Sequence, residues 1–225
     1  MSFTFNSLSL KQRFKINLVK QVPAQAGLGG GSANAATAMF AVNELLGRPA
    51  THEQLVEWSS ALGSDITFFF SLGTAYCTGR GEIMDSVVPP LQAGTKLTVV
   101  KPNLGLSTPS VFKALEYDKL SDANPEELLA KFRTEGVNDI ADKAYINDLE
   151  FPAFKLLPEL KALKDELKTV KGFTHVCMSG SGTSIFCIGV PEDLKTFDET
   201  YGKRENLKVF HSEFISRPDE WTWWS

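Results

Sequence analysis

The sequence predicts an α+β fold in two units, residues 1–93 and 94–225, the second built on an antiparallel sheet backed by helices. Three observations predict it. Strand-type runs alternate with helical ones, and several strands are joined by short glycine turns rather than by crossover helices. A glycine-dense stretch, Pro23 to Asn34, separates a strand pattern from a helix pattern. Pro89 and Pro90 then punctuate the chain, and the patterning starts afresh beyond residue 93.

Taken in order, Phe14, Ile16 and Leu18 alternate with Lys15 and Asn17, a period of two that predicts a strand leading through Val22. Pro23 and the glycines from Gly27 to Gly31 end it. Apolar positions Ala36, Met39, Phe40, Val42 and Leu46 predict a helix over 33–46, stopped by Gly47, Arg48 and Pro49. Thr51 with Gln54 is a capping-box pair opening a second helix that closes near Gly63. Residues 65–72 form a compact apolar segment. Strands follow at 74–77 and 82–88, joined through Gly79 and Gly81. The second unit opens with a strand at 96–101. It continues with helices at 107–115 and 125–132 and a longer amphipathic helix at 152–168. Strands at 175–178 and 184–190 flank Gly180-Ser181-Gly182, and a helix at 191–201 and a strand at 207–214 complete it.

Composition excludes several classes of function. Of 225 residues, 43% are hydrophobic and 22% charged, an ordinary globular balance, and the net charge of -4 offers no bulk attraction to nucleic acid or an anionic membrane. The apolar run 66–72 is far shorter than the roughly 18 residues that a span requires. Cys77, Cys177 and Cys187 are odd in number and lack metal-ligand spacing, which suits buried thiols in a reducing compartment. The first residues show neither a secretory nor a transit leader. His52, His175 and His211 are scattered without ligand spacing, and Trp221, Trp223 and Trp224 suggest a hydrophobic clasp or frayed end rather than a membrane anchor.

The glycine stretch is where chemistry is written most clearly. Glycines between a strand and a helix permit positive φ and let backbone N–H groups reach a ligand, and the helix N-terminus favours negative charge. Four glycines in five positions exceed the needs of a plain turn. A Walker loop requires a lysine after its last glycine, yet no lysine lies between Lys20 and Arg48. A dinucleotide fingerprint requires a third glycine where Ser32 stands, and a second strand where another helix is predicted. What remains is a phosphate-gripping loop of a different kind.

Asp65, between Gly63-Ser64 and an apolar run, has two readings: a partly desolvated general base, or a helix N-cap. Ser32 sits at the junction of loop and helix, where it can cap the helix, approach a metal and phosphates, or both. Gly180 and Gly182 either let a turn pack closely against the phosphate loop or simply make a hairpin. Arg80 has two readings, a phosphate contact or a solvated turn residue, and the second is preferred.

The stretch Pro23-Ala-Gln-Ala-Gly27-Leu-Gly29-Gly30-Gly31-Ser32-Ala33-Asn34 resembles the second signature of the GHMP kinases, P-x-x-x-G-L-G-S/G-S. Four further blocks resemble the isoprenoid-precursor branch of that superfamily: Leu62-Gly-Ser-Asp65-Ile-Thr-Phe-Phe-Phe70, Ala75-Tyr-Cys-Thr-Gly-Arg-Gly-Glu82, Asn147-Asp148-Leu149-Glu150 and Met178-Ser-Gly180-Ser-Gly182-Thr-Ser-Ile-Phe186. The wording is similar to plant and algal forms and extends over residues 10–215.

The resemblance implies the two-domain GHMP kinase fold and an ATP- and Mg²⁺-dependent kinase of the non-mevalonate route, phosphorylating the 2-hydroxyl of a diphosphocytidyl-linked methylerythritol. Pro23, Ala24, Gln25, Ala26, Gly27, Leu28, Gly29, Gly30, Gly31, Ser32 and Ala33 would wrap the ATP phosphates. Ser32 would stand near Mg²⁺, Asp65 would be the catalytic aspartate, and Gly180, Ser181 and Gly182 would lie near substrate or phosphate. The partner is a small molecule, with no nucleic acid and no membrane, and the protein is expected as a monomer or weak homodimer. A plastid location is implied for a plant or algal source, and a cytoplasmic one otherwise. Two other readings stand beside it: another GHMP small-molecule kinase, and a non-catalytic nucleotide-binding remnant. The family's first signature, Pro-x-Lys-x-Asn-Leu, is not matched. Phe14-Lys15-Ile16-Asn17-Leu18 lacks the proline and feeds directly into the loop. With 22 residues before Pro23, the N-terminal domain is expected to be incomplete and the 225-residue chain to phosphorylate poorly or not at all.

Overall fold

The computed structural model describes residues 13–135 and 145–219. The predicted clasp at Trp221 to Trp224 and the first residues lie outside that range. Within it, two hydrophobic cores form on either side of a long irregular stretch that includes Pro89 and Pro90.

The first core belongs to α1 (Gly30–Leu45), α2 (His52–Leu62) and a 3-10 helix, Ser64–Phe70. Ala36, Met39 and Phe40 of α1 pack against Leu55 of α2 and against Ile66 and Phe70. Burying the Phe40 and Phe70 rings contributes about 1.5–3 kcal/mol each. The predicted capping box is present: Thr51 and Gln54 each bond the other's backbone N–H. Buried Asn43 closes the α1–α2 connection by accepting from Ala50 N–H at 3.0 Å and donating to its C=O at 3.1 Å. A hairpin of β1 (Ala75–Thr78) and β2 (Ile83–Ser86) follows, in antiparallel register.

The second core lies under a four-stranded antiparallel sheet in the order β4-β5-β3-β6, with β3 Lys96–Pro102, β4 Phe173–Met178, β5 Ile185–Gly189 and β6 Leu207–Glu213. The helices of this unit are α3 (Thr108–Lys113), α4 (Pro125–Glu135), α5 (Glu150–Leu156), α6 (Pro158–Lys168) and the short α7 (Leu194–Phe197), which runs on into a π-type turn over 198–202. Leu160, Leu163 and Leu167 recur at helical spacing on α6 and meet Val176, Met178, Ile185 and Cys187 of the sheet. The C-terminal segment returns to the first unit, where Arg217 donates to the carbonyls of Phe69 and Ser71.

Three expectations need correction. Residues 14–22 form no strand, and no described strand pairs with them, so Phe14, Ile16, Leu18, Val19 and Val22 stay exposed, and Lys20 reaches out, donating to Gly30 C=O at 3.0 Å. Alternation marks a face that a strand could bury, but without a neighbour there is no ladder to satisfy its backbone. The helix expected at 152–168 is two. Pro158 lacks an N–H and disfavours helical geometry in the residue before it, so Leu157 turns out to φ -142° and ψ 81° between α5 and α6. Finally, α1 begins at Gly30 rather than at residue 33, so the end of the glycine stretch is itself helical.

Candidate active site

The glycine stretch divides into an irregular part and a helical part. Gln25, Gly27 and Gly29 have φ of 51°, 69° and 62°, all left-handed. Two of the three are glycines, which bear this without strain; Gln25 does not. Gly29 is the residue before α1, and the first helical bond runs from Ala33 N–H to Gly29 C=O at 2.8 Å. The amides of Gly30, Gly31 and Ser32 therefore have no acceptor within the helix, and Gly29, at the cap, has no side chain to supply one. Ser32 stands in the first turn rather than at the cap, so the capping role does not apply. This end of α1 is arranged to receive an anion.

Close packing fixes the irregular part. A Cβ on Gly29 would lie 2.7 Å from Phe69 Cζ, so the 3-10 helix that carries Asp65 presses its aromatic ring onto the loop. A Cβ on Gly27 would lie 2.0 Å from the carbonyl oxygen of Ser179, which no side chain tolerates. Ser179 Oγ donates to Gly27 C=O at 2.8 Å, and Ser184 N–H donates to Ala26 C=O at 3.1 Å. Residues 179–184 connect the β4–β5 hairpin, as one reading of Gly180 and Gly182 had it, and are seated on the glycine loop. Ser181 Oγ is 2.8 Å from Thr108 Oγ1 at the start of α3, and Thr183 Oγ1 donates to Leu104 C=O at 2.7 Å.

Asp65 lies in the first turn of its 3-10 helix, with Gly63 as the residue before it, so it is not the N-cap. Its carboxylate is exposed rather than partly desolvated, since only Ile66, Thr67 and Phe70 of that helix turn inward. A Cβ on Gly81 would lie 3.3 Å from Asp65 Oδ1, which places the acid over the β1–β2 turn. Its charge reaches the Cys77 thiol, which burial first and Asp65 second push above the usual thiol value. Arg80, in the same turn, is 79% exposed and pairs only loosely with Glu82 at 3.5 Å, as a solvated arginine would.

Sequence reasoning gave no role to several residues that shape this place. Asn147 donates to the carbonyls of both Met178 and Gly180, at 2.8 Å each. Buried Lys101 donates to the carbonyls of Pro102 and Leu104, and burial, followed by the charge of Lys208, pulls its ammonium below the usual lysine value. Gln25 Oε1 would lie 2.5 Å from a Cβ on Gly105, so the 102–107 loop also leans on the glycine stretch. Only Asn147 had left a signal, as part of a recognisable block.

For a divalent cation, the described residues contain no group of three or more His, Cys, Asp or Glu side chains. They fit an ion such as Mg²⁺ that takes most of its ligands from phosphates and water, with one carboxylate or hydroxyl from protein. Ser32, in the first turn of α1, is the candidate.

In this chain a glycine loop opens a helix and a hairpin from the second unit is seated on it. The models of the GHMP kinases N terminal domain and the GHMP kinases C terminal domain match residues 2–73 and 126–202. The chain is 46% identical over 204 residues to the 4-diphosphocytidyl-2-C-methyl-D-erythritol kinase of Protochlamydia amoebophila, covering 89% of this chain and 66% of that protein. It is 46% identical over 213 residues to the chloroplastic enzyme of that name from Arabidopsis thaliana, covering 92% of this chain and 54% of that one. A crystal structure of 4-(cytidine 5'-diphospho)-2C-methyl-D-erythritol kinase superposes with a TM-score of 0.67 at 30% identity, covering 86% of this chain and 68% of the other. The chain belongs to the 4-diphosphocytidyl-2-C-methyl-D-erythritol kinase family, and it spans about half to two thirds of the length of these relatives.

Proposed function

We propose that this protein transfers the γ-phosphoryl group of ATP to the 2-hydroxyl of 4-diphosphocytidyl-2-C-methyl-D-erythritol, a step of non-mevalonate isoprenoid precursor synthesis. The observation that carries the reading is the left-handed Gly27 and Gly29 delivering three unbonded amides at the start of α1, beside the segment bearing Asp65. In this reading residues 23–33 enclose the phosphates, and the amides of Gly30, Gly31 and Ser32 stabilise charge as it shifts towards ADP. Asp65 orients the substrate hydroxyl and accepts its proton as the oxygen attacks in line. Its exposure fits a group that must meet a substrate entering from solvent. Gly180, Ser181 and Gly182 border the same space. Bound Mg²⁺ would neutralise phosphate charge, held from the protein side by Ser32.

The chain divides near residue 93 in this reading, an ATP-gripping unit before it and a unit that closes the site after it. With relatives that are chloroplastic in plants and others that are bacterial, it acts in the plastid if its source is a plant or alga, and otherwise in the cytoplasm. No helix among the described residues is long and apolar enough to cross a membrane.

The test is twofold: binding of a fluorescent ATP analogue, competed by ATP, and ADP release on adding the diphosphocytidyl substrate. Competable binding with slow substrate-dependent ADP release, lost in Asp65→Asn, is the expected result, in keeping with the poor turnover expected of the 225-residue chain. Failure to bind nucleotide would sink the reading. Binding without turnover would turn it into that of a non-catalytic nucleotide-binding protein.

A further inference from the structure

Asn147 opens a block whose chemistry the proposed reaction does not use. Its amide is fully engaged. Oδ1 accepts from Leu149 N–H at 3.0 Å, a local bond that shapes the entry to α5. The two N–H groups donate at 2.8 Å to Met178 C=O and Gly180 C=O, across 31 and 33 residues of sequence. Those carbonyls belong to the last residue of β4 and to the glycine turn, and neither is used by the β4–β5 ladder, whose last pair is Met178 with Ile185. The turn they hold is the one that meets the glycine loop. Ser179 Oγ donates to Gly27 C=O, a Cβ on Gly180 would lie 3.1 Å from the same Gly27 oxygen, and Gly182 N–H donates to Ser179 C=O at 2.9 Å.

We propose that Asn147 is a positioning residue for nucleotide binding, setting through its two amide protons the height of the 179–182 turn on which Gly27 and the phosphate loop rest. It touches neither phosphate nor hydroxyl. Both acceptors are backbone carbonyls, so only a double donor of this length and direction serves. Aspartate keeps the Oδ1 that Leu149 needs, but it turns the two donors into an oxygen facing two carbonyl oxygens. Asn147→Asp therefore separates the local role from the long-range one. The inference rests on residues 23–33 as the nucleotide site, so its test has one arm that needs no nucleotide.

That arm is amide hydrogen exchange on the full chain. In Asn147→Asp and Asn147→Leu, peptides over 179–184 and over 24–31 should exchange faster, while peptides from α6 stay as in the unmodified chain. The other arm is the fluorescent ATP analogue, whose affinity should fall about tenfold in both variants, the scale of losing one or two hydrogen bonds that hold a loop. Ser179→Ala, which removes only the bond to Gly27, should weaken the analogue in the same direction with α6 exchange unchanged. Unchanged exchange at 24–31 in both Asn147 variants would overturn the proposal, as would an Asn147→Asp chain that binds normally. If the unmodified chain binds no analogue, the nucleotide reading fails, and the exchange arm alone decides whether Asn147 positions the loop.

Discussion

Ser179 and Gly27 approach so closely that the carbonyl oxygen of Ser179 lies 2.0 Å from where a Cβ on Gly27 would stand, while its Oγ donates to Gly27 C=O at 2.8 Å. The two cores of the molecule touch here through backbone, and backbone cannot step aside as a flexible side chain can. Gly27→Ala adds a left-handed strain of about 1–2 kcal/mol to that clash, so the variant should lose about 3 kcal/mol or more of stability. Gly31→Ala is the control. Gly31 is helical, and nothing lies within 4 Å of its would-be Cβ, so this exchange should gain about 0.5–1 kcal/mol. Urea unfolding of the two variants measures both signs.

Asp65 makes no side-chain hydrogen bond or ion pair among the described residues, and it is exposed. An acid placed for its effect on the fold would be engaged with something. Asp65→Asn should leave stability within about 0.5 kcal/mol of the unmodified chain. Whatever rate of substrate-dependent ADP release the chain shows should fall by about 10²–10⁴ if the carboxylate takes the hydroxyl proton. A variant that keeps its rate removes Asp65 from the chemistry. One that loses rate and melting temperature together would mark it as structural.

How much of this was legible in the residues depended on how local the deciding interactions are. The Thr51–Gln54 box, the stop at Gly47, the hairpin around Gly180 to Gly182 and the antiparallel character of the second sheet are written in neighbours or in repeated patterns, and they form where expected. The strand at 14–22 was misread because alternation is only half of a strand; the other half is a partner, which may lie anywhere in the chain. Asp65 was expected to be partly desolvated from the apolar residues after it, yet Ile66, Thr67 and Phe70 turn inward while Asp65 stays exposed. Gln25 at φ 51° and the links from Asn147 and Lys101 to distant carbonyls leave no periodicity at all. Such contacts belong to side chain and backbone segments that meet only after folding.

The three cysteines offer a test of burial that does not depend on function. Burial pushes both the Cys177 and Cys187 thiols up to about 12, with the nearby Glu150 charge adding to the effect on Cys177. Cys77 is half-buried and its thiol is raised less. Since the thiolate is the reacting form, a thiol reagent at pH 8 should modify the folded chain first and slowly at Cys77, and modify all three only in denaturant. The linkage has a definite sign. The folded state keeps protons that the unfolded state gives up above the ordinary thiol value of 9.0, so their contribution to stability is intact below that pH and is lost as pH rises towards about 12. Mass mapping of early label at Cys187 would contradict the packing of β5.

Lys164 and Glu150 form the ion pair that anchors α6 to the end of β4. Lys164 Nζ lies 2.6 Å from both carboxylate oxygens, the two side chains are only 11% and 17% exposed, and Glu150 Oε1 also accepts from Met178 N–H at 2.8 Å. Charges so enclosed gain little net stability as a pair, but removing one leaves the other without compensation. Lys164→Met should therefore cost about 2–4 kcal/mol, mostly from the stranded carboxylate rather than from lost packing, because methionine keeps the apolar stem. Glu150→Gln preserves the acceptor for Met178 and should rescue part of that loss when combined with Lys164→Met. The double variant is thus expected to be more stable than the sum of the single losses by about 1–2 kcal/mol, as read from a urea double-mutant cycle. A strictly additive cycle would show that Lys164 and Glu150 act separately, and that Met178 is held by its hydrogen bonds alone.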